Sequence, residues 1–155
     1  MNTIIKLILA AICAMPMLSW AGDAQNANEK VVLGYIDAMD SATARGAVDE
    51  LPKIAATYWT EDCVQHRPGV APGRAGLIAA LQGLPAFAKS SAAPAGNNAP
   101  FKTVSIVTKE DRVILVRRSV QTDAKDPSKT TERYVFNIFR VAGGKIAENW
   151  WAMAM

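Results

Sequence analysis

One histidine, His66, is the only side chain in the sequence whose ordinary pKa lies near neutral pH. Imidazole is a natural general base for removing a proton beside a carbonyl group, because it exchanges protons close to physiological pH. A single histidine excludes a histidine-based metal cluster. His66 is therefore a candidate catalytic base. The alternative is a structural role, in which it caps the turn beside Pro68.

Tyr35 and Asn137 are polar residues among apolar neighbours. Tyr35 lies on a helical stripe with Val32 and Ile36, so its ring lines either a pocket or the core, where its hydroxyl would be hydrogen-bonded. Asn137 lies inside a strand-like segment, where a buried amide needs a hydrogen-bond partner. A phenol and a carboxamide can both donate to the oxygen of an enolate without ionising. Asn137 alternatively makes a structural hydrogen bond.

The N-terminus has the organisation of a secretory signal peptide. Residues 1–6 carry one positive charge, residues 7–18 are apolar, and Ser19 and Ala21 are the small residues expected before a cleavage site. We predict cleavage between Ala21 and Gly22, a flexible start over residues 22–28 and one domain over residues 29–155. The apolar run is too short to span a bilayer of about 30 Å. A periplasmic or secreted location is expected, with no membrane attachment after cleavage.

Cleavage leaves Cys63 as the only thiol, so an internal disulfide is impossible and a buried, inert cysteine is expected. The net charge of +3 falls to +2 with the loss of Lys6. The basic residues are dispersed, which argues against nucleic-acid binding. No nucleotide-binding glycine pattern or metal-ligand cluster is visible, so we expect no cofactor.

The periodicity of apolar residues predicts three helices followed by strands. The helices are predicted at residues 29–43, 50–58 and 75–84, a short extended segment at 59–66, a loop at 90–100, and strands at 101–108, 113–122, 130–141 and 145–153. In the third of these strands, Val135 and Phe139 face one side and Tyr134 and Phe136 the other. Both faces are apolar, which predicts a homodimer that covers one of them.

Three segments carry a resemblance to a known family. YWTEDCVQHRP at residues 58–68, GRAGLIAAL at 73–81 and YVFNIFRVAGGKIAENW at 134–150 resemble SnoaL-like proteins of the nuclear transport factor 2-like superfamily. The resemblance covers nearly all of residues 29–155. It implies an α+β fold, a cone-shaped roll of three N-terminal helices on a curved, mainly antiparallel sheet that encloses a pocket. Members include polyketide cyclases, steroid delta-isomerases, dehydratases and proteins that only bind ligands.

The same resemblance implies a site. SnoaL-like relatives often carry acids where Asn137 and Trp151 stand, which weakens the case for cyclase chemistry. In steroid isomerases an oxyanion-binding Tyr, a base and a second donor occupy places similar to Tyr35, His66 and Asn137. These three are the predicted catalytic residues. The predicted ligand-binding residues, which alternatively form core or wall, are Trp59, Phe139, Asn149 and Trp151.

Three functions remain open from the sequence. The first is a cofactor-free proton-transfer enzyme, an isomerase, cyclase or lyase that acts on a small hydrophobic or carbonyl-containing molecule. The second is a non-catalytic periplasmic protein that binds such a ligand in the same pocket. The third is an interaction module that uses a face of the sheet. The predicted absence of acids favours binding, whereas Tyr35, His66 and Asn137 together favour chemistry.

Overall fold

Three helices form the N-terminal half of the fold. The computed structural model describes residues 19–84, 100–123 and 125–154, with side chains from residue 27 onward. The helices are α1 (Ser19–Arg45), α2 (Leu51–Tyr58), which follows a short 3-10 turn at Val48–Glu50, and α3 (Gly73–Gln82). Helix α1 begins earlier than residue 29, so it includes residues 22–28 and the predicted cleavage site. Most of the predicted loop at residues 90–100 lies outside the described residues.

Five strands form one open sheet. They are β1 (Trp59–His66), β2 (Lys102–Lys109), β3 (Arg112–Thr122), β4 (Thr130–Ala142) and β5 (Lys145–Ala154). Their order is β1-β5-β4-β3-β2; β1 runs parallel to β5, and the other neighbours are antiparallel. The extended segment before the Pro-Gly loop is thus an edge strand of the sheet. This arrangement confirms the predicted α+β class.

Turns and bulges shape the sheet. Gly143 and Gly144 join β4 to β5 with φ angles of 57° and 74°, and two successive positive φ angles are typical of the tight hairpin turns that glycine favours. The register shifts between Arg140 and Val141 in the β4–β5 pair, and again between Trp59 and Val64 in the β1–β5 pair. Such irregularities bend a strand and increase its twist. The sheet can therefore curve around the helices.

The two faces of the sheet differ in burial. The inner face is turned toward the helices, and its β4 residues Val135, Asn137, Phe139 and Val141 are all buried. Helices α1 and α2 add Val32, Leu51 and Ile54 to the same core. The opposite face, called the outer face below, carries side chains that are half-buried or exposed: Val107, Ile114, Tyr134, Phe136, Ile138 and Trp150. Strand alternation in β4 therefore follows the predicted pattern.

Candidate functional site

A cavity of about 460 Å³ lies between the inner face of the sheet and the helices α1 and α3. Strand register arranges its wall in rows. Gln65, Asn149 and Phe139 are aligned on β1, β5 and β4, and the next row contains Trp151 and Asn137. The third row places Met153, Val135 and Arg117 side by side.

Exposure along these rows shows where the cavity opens. Phe139 in the first row is only 2% exposed, whereas Trp151 is 38% and Met153 39% exposed. The first row is therefore the closed end, and the cavity opens beside Trp151 and Met153 on β5. A ligand that enters past Met153 meets Asn137 before it reaches the aromatic residues at the closed end.

Tyr35 from α1 is at the closed end. Its ring makes edge contacts with Trp59 at 5.2 Å and with Phe139 at 6.2 Å between ring centroids. Burial raises the pKa of the Tyr35 hydroxyl well above its ordinary value, and the neighbouring Trp59 offsets this only in part. The hydroxyl therefore stays protonated throughout the physiological range and remains a hydrogen-bond donor. The structure thus places Tyr35, Trp59 and Phe139 together in the cavity wall.

Two asparagines form a hydrogen-bonded pair in the sheet wall. Asn149 Nδ2 donates to Asn137 Oδ1 at 3.3 Å, to the carbonyl oxygen of Ile138 at 3.2 Å and to that of Trp150 at 3.1 Å. Both asparagines are buried and both line the cavity. The amide nitrogen of Asn137 has no recorded partner among the described residues. Asn149 therefore holds Asn137 in place, and the Asn137 amide is available to a ligand.

His66 does not belong to this site, and its predicted role as catalytic base is corrected. Gln65 and Arg67 on either side of it face the cavity, so the alternation of the strand turns His66 to the outer face. There its ring stacks on Trp150 at 4.3 Å, and its Nε2 lies 2.9 Å from Glu148 Oε2. The other oxygen of Glu148 accepts a 2.6 Å hydrogen bond from Arg140 Nε.

Five further polar residues line the cavity, and none of them was among the residues predicted from the sequence: Asp40, Thr43, Gln65, Arg67 and Arg117. Gln65 and Arg67 flank His66, and neither is apolar enough for the sequence alone to mark it as facing inward. Asp40 continues the helical stripe one turn after Ile36. Arg117 is a charged residue on the inward face of β3, where its neighbours Val113 and Leu115 are buried.

Arg117 and Arg67 are held differently. The Arg117 side chain is 11% exposed; its Nη2 donates to the Asp40 carboxylate and, at 2.7 Å, to the carbonyl oxygen of Phe101. Arg67 is exposed at the mouth, and its guanidinium lies 4.9 Å from the centroid of the Trp151 ring. Trp151, which was predicted to bind the ligand or form the wall, thus lies beside the opening and does not fill the cavity.

Cys63 is fully buried, and burial raises the pKa of its thiol. The thiol is therefore protonated and shielded, unlike a catalytic thiolate. In residues 19–84, 100–123 and 125–154 no group of three or more metal-ligating side chains occurs. Over the same residues, no helix is both long and apolar enough to cross a membrane.

Comparison with known proteins supports the fold but not a specific activity. No family model matches the sequence, and no curated protein matches it significantly. Solved structures do match. Bal32a from a soil-derived mobile gene cassette is 15% identical, with a TM-score of 0.54 over 84% of this chain and 91% of that one. A SnoaL-like polyketide cyclase from Agrobacterium tumefaciens is 14% identical, with a TM-score of 0.51 over 82% and 91% of the two chains. TsrD from Streptomyces laurentii is 15% identical, with a TM-score of 0.52 over 79% and 87%.

These likenesses define the fold. The chain has an α+β fold in which helices pack on a curved, open sheet, and it shares this fold with the solved structures above. It has the fold of SnoaL-like polyketide cyclases, which confirms the resemblance inferred from residues 58–68, 73–81 and 134–150 at the level of the fold. At such low identity the activity has to be argued from the cavity itself.

Proposed function

We propose that this chain binds a small, largely apolar organic molecule with a carbonyl group in the conical cavity, and that it does so outside the cytoplasm after residues 1–21 are removed. This proposal rests on the properties of the cavity. Its volume of about 460 Å³ and its mainly apolar and aromatic wall, with a few polar groups, are typical of small-molecule sites.

The polar groups suit a carbonyl oxygen. Asn137 and Gln65 present amides to the cavity, and Tyr35 adds a protonated hydroxyl at the closed end. The amide nitrogen of Gln65 is buried without a hydrogen-bond partner among the described residues. An unpaired buried donor is unfavourable until it meets an acceptor, so an oxygen-bearing ligand is favoured over a pure hydrocarbon.

Helix α3 offers a test with a matched control. Ala80 lines the cavity, whereas the adjacent Ala79 is exposed on the other side of the helix. Calorimetric titration with 2-acetylnaphthalene, a bicyclic aromatic ketone, should show binding to the wild type. Ala80→Phe fills the cavity and should weaken that affinity about tenfold or more, while Ala79→Phe should leave it unchanged. Equal affinities for the two variants would contradict binding in the cavity.

A second candidate function is proton transfer with a different base. Asp40 lines the same cavity as Tyr35 and Asn137, so a carboxylate and two donors face one cavity, and His66 lies outside it. In this reaction the Asp40 carboxylate would take a proton from the carbon beside the ligand carbonyl, and the donors would stabilise the enolate oxygen. Arg117, which pairs with Asp40, would hold the carboxylate in position.

Hydrogen exchange separates the two candidates. In D₂O, an enzyme of this kind accelerates deuterium incorporation into the methyl group of 2-acetylnaphthalene, which proton NMR detects. Acceleration that is lost in Asp40→Asn and kept in His66→Gln would support catalysis. Binding without acceleration over the protein-free rate is what the ligand-binding proposal predicts.

For the outer face we propose a second copy of this chain as the occupant. Ile114, Phe136 and Ile138 lie side by side on it and remain partly exposed. Its edges carry both signs of charge, with Arg118 paired to Glu132 at 3.1 Å. A two-fold symmetric contact would bring an apolar centre onto its own copy and allow opposite charges to meet at the rim.

A further inference from the structure

The charged residues of the cavity wall are unequal in number. Among the described residues that line the cavity, Arg67 and Arg117 are positive and Asp40 is negative. Because Asp40 and Arg117 form an ion pair, Arg67 is the charge that remains. A pocket with one uncompensated cation at its mouth favours an anionic ligand over a neutral or cationic one of the same shape.

Arg117 already belongs to the wall. Both of its recorded hydrogen bonds use Nη2, one to Asp40 and one to the Phe101 carbonyl, and its Nε is buried without a partner among the described residues. These contacts fix the guanidinium of Arg117 opposite the β1 side of the cavity. Because Asp40 already offsets the charge of this guanidinium, Arg117 attracts an anion less strongly than an unpaired arginine does.

Arg67 is free to bind an anion. Within the described part of the chain it forms no ion pair, and its side-chain contact is a cation–π contact that places its guanidinium carbon 4.9 Å from the centroid of the Trp151 ring. A guanidinium over an aromatic ring keeps an N–H edge that points away from the ring. That edge matches a carboxylate, which it can bind through two parallel hydrogen bonds. The Trp151 ring meanwhile offers an apolar surface beside the same opening.

We propose that the ligand of this cavity is an organic acid, whose carboxylate is bound by Arg67 at the mouth while its apolar body lies along Trp151 and its carbonyl reaches Asn137. This assignment rests on the proposed ligand-binding function and names its ligand class. Arg67 is then the residue that determines specificity for acids. The ligand enters with its uncharged end first, toward Tyr35 and Phe139.

Two probes with the same ring system test this assignment. 2-Naphthoate is ionised at neutral pH, and 2-acetylnaphthalene replaces its carboxylate by a neutral methyl ketone. Calorimetric titration of the wild type at low salt should give an affinity for the acid about fivefold to tenfold higher than for the ketone. Arg67→Gln should remove this preference by weakening only the acid. Arg67→Lys keeps the charge but not the planar fork, so it should retain part of the preference.

A charge change outside the cavity is the control, and different results would overturn the organic-acid assignment and the proposed binding function. Arg112 is a half-exposed arginine on β3 that does not line the cavity, so Arg112→Gln removes one positive charge elsewhere and should leave both affinities unchanged. Equal binding of acid and ketone by the wild type, or equal weakening of both by Arg67→Gln, would overturn the organic-acid assignment while ligand binding stands. Absence of binding by both probes would overturn the proposed function and this assignment with it.

Discussion

The asparagine pair allows a sharp test of the site geometry, because its two members should respond differently to the same substitution. Asn149 and Asn137 are equally buried, at 8% exposure each. Asn149 acts as a donor to three oxygens, whereas Asn137 accepts one of those hydrogen bonds through Oδ1. Replacing either by Asp changes the amide nitrogen to oxygen with almost no change of shape. Asn149→Asp should therefore be severe and Asn137→Asp mild.

The magnitude follows from the contacts. Asn149→Asp removes the two N–H donors that serve three oxygens, a loss of about 2 kcal/mol at about 1 kcal/mol net for each N–H, and at neutral pH it also turns a carboxylate oxygen toward those acceptors, which costs about 1 kcal/mol more. We expect a loss of about 3 kcal/mol in the free energy of unfolding at pH 7, which lowers the melting temperature by about 10 °C for a domain of this size. Asn137→Asp keeps the acceptor that Asn149 needs, so its loss should be about 1 kcal/mol or less.

The loss in Asn149→Asp should also depend on pH. The three facing oxygens disfavour the ionised form, so the folded-state pKa of the new carboxyl is raised above its unfolded value of about 3.9. Below that value both states are protonated and the carboxyl keeps one O–H donor, so only part of the hydrogen bonding is lost. As the pH rises, the unfolded state ionises first, and stability falls by about 1.4 kcal/mol per pH unit until the folded pKa is reached.

Urea unfolding of both variants and the wild type at several pH values between 4 and 8, followed by circular dichroism, measures these differences. Similar losses for Asn149→Asp and Asn137→Asp at pH 7 would refute the donor and acceptor roles assigned here. A loss in Asn149→Asp that does not change with pH would show that the new carboxyl is solvated and does not face Ile138 and Trp150.

The remaining predictions concern the outer face and the N-terminus. His66→Gln should leave the affinity for 2-acetylnaphthalene unchanged in calorimetric titration. A clear loss of affinity would show that His66 contributes to the binding site. His66 and then Arg140 lower the pKa of Glu148 below its ordinary 4.5, so the stability that this carboxylate contributes is present above that value and is lost as the pH falls through the lowered pKa. The stability of Glu148→Gln should therefore fall less steeply than that of the wild type as the pH is lowered through this range. An unchanged dependence of stability on acidic pH would contradict this prediction. Light scattering should find a dimer for the wild type and a monomer for Phe136→Lys. Ala79→Lys, at an exposed position of α3, should remain a dimer. A monomeric wild type would contradict the proposed contact. Mass spectrometry of exported protein should find Gly22 as the first residue, and an intact Met1 would exclude cleavage.

Much of the fold was predictable because the elements show strong periodicity and clear ends. The strands predicted at residues 113–122 and 130–141 match Arg112–Thr122 and Thr130–Ala142 almost to the residue, since turn residues bound them on both sides. The second helix was predicted at residues 50–58 and is found at Leu51–Tyr58. Alternation in β4 also identified the buried face correctly, because a strand with one covered face repeats every two residues.

The site was less predictable because it depends on which face a short edge strand presents. The imidazole of His66 suggested that this residue faces the pocket. Its neighbours Gln65 and Arg67 are both polar, so no apolar side chain beside it marks the inward face of β1. Only pairing with β5 settles it, by placing Gln65 opposite Asn149 and His66 opposite Trp150. The ion pair between Asp40 and Arg117 joins residues 77 positions apart, which local sequence patterns do not reveal.

The central claim is that the hollow on the inner face holds a small organic acid in the native protein. Mass spectrometry of the material released by denaturing protein purified from its native cells tests this directly, with Ala80→Phe and Ala79→Phe treated identically. The account predicts a small carboxylic acid that also carries a carbonyl group, released from the wild type and Ala79→Phe and depleted in Ala80→Phe. Release of no such molecule, or equal release from all three proteins, would contradict it.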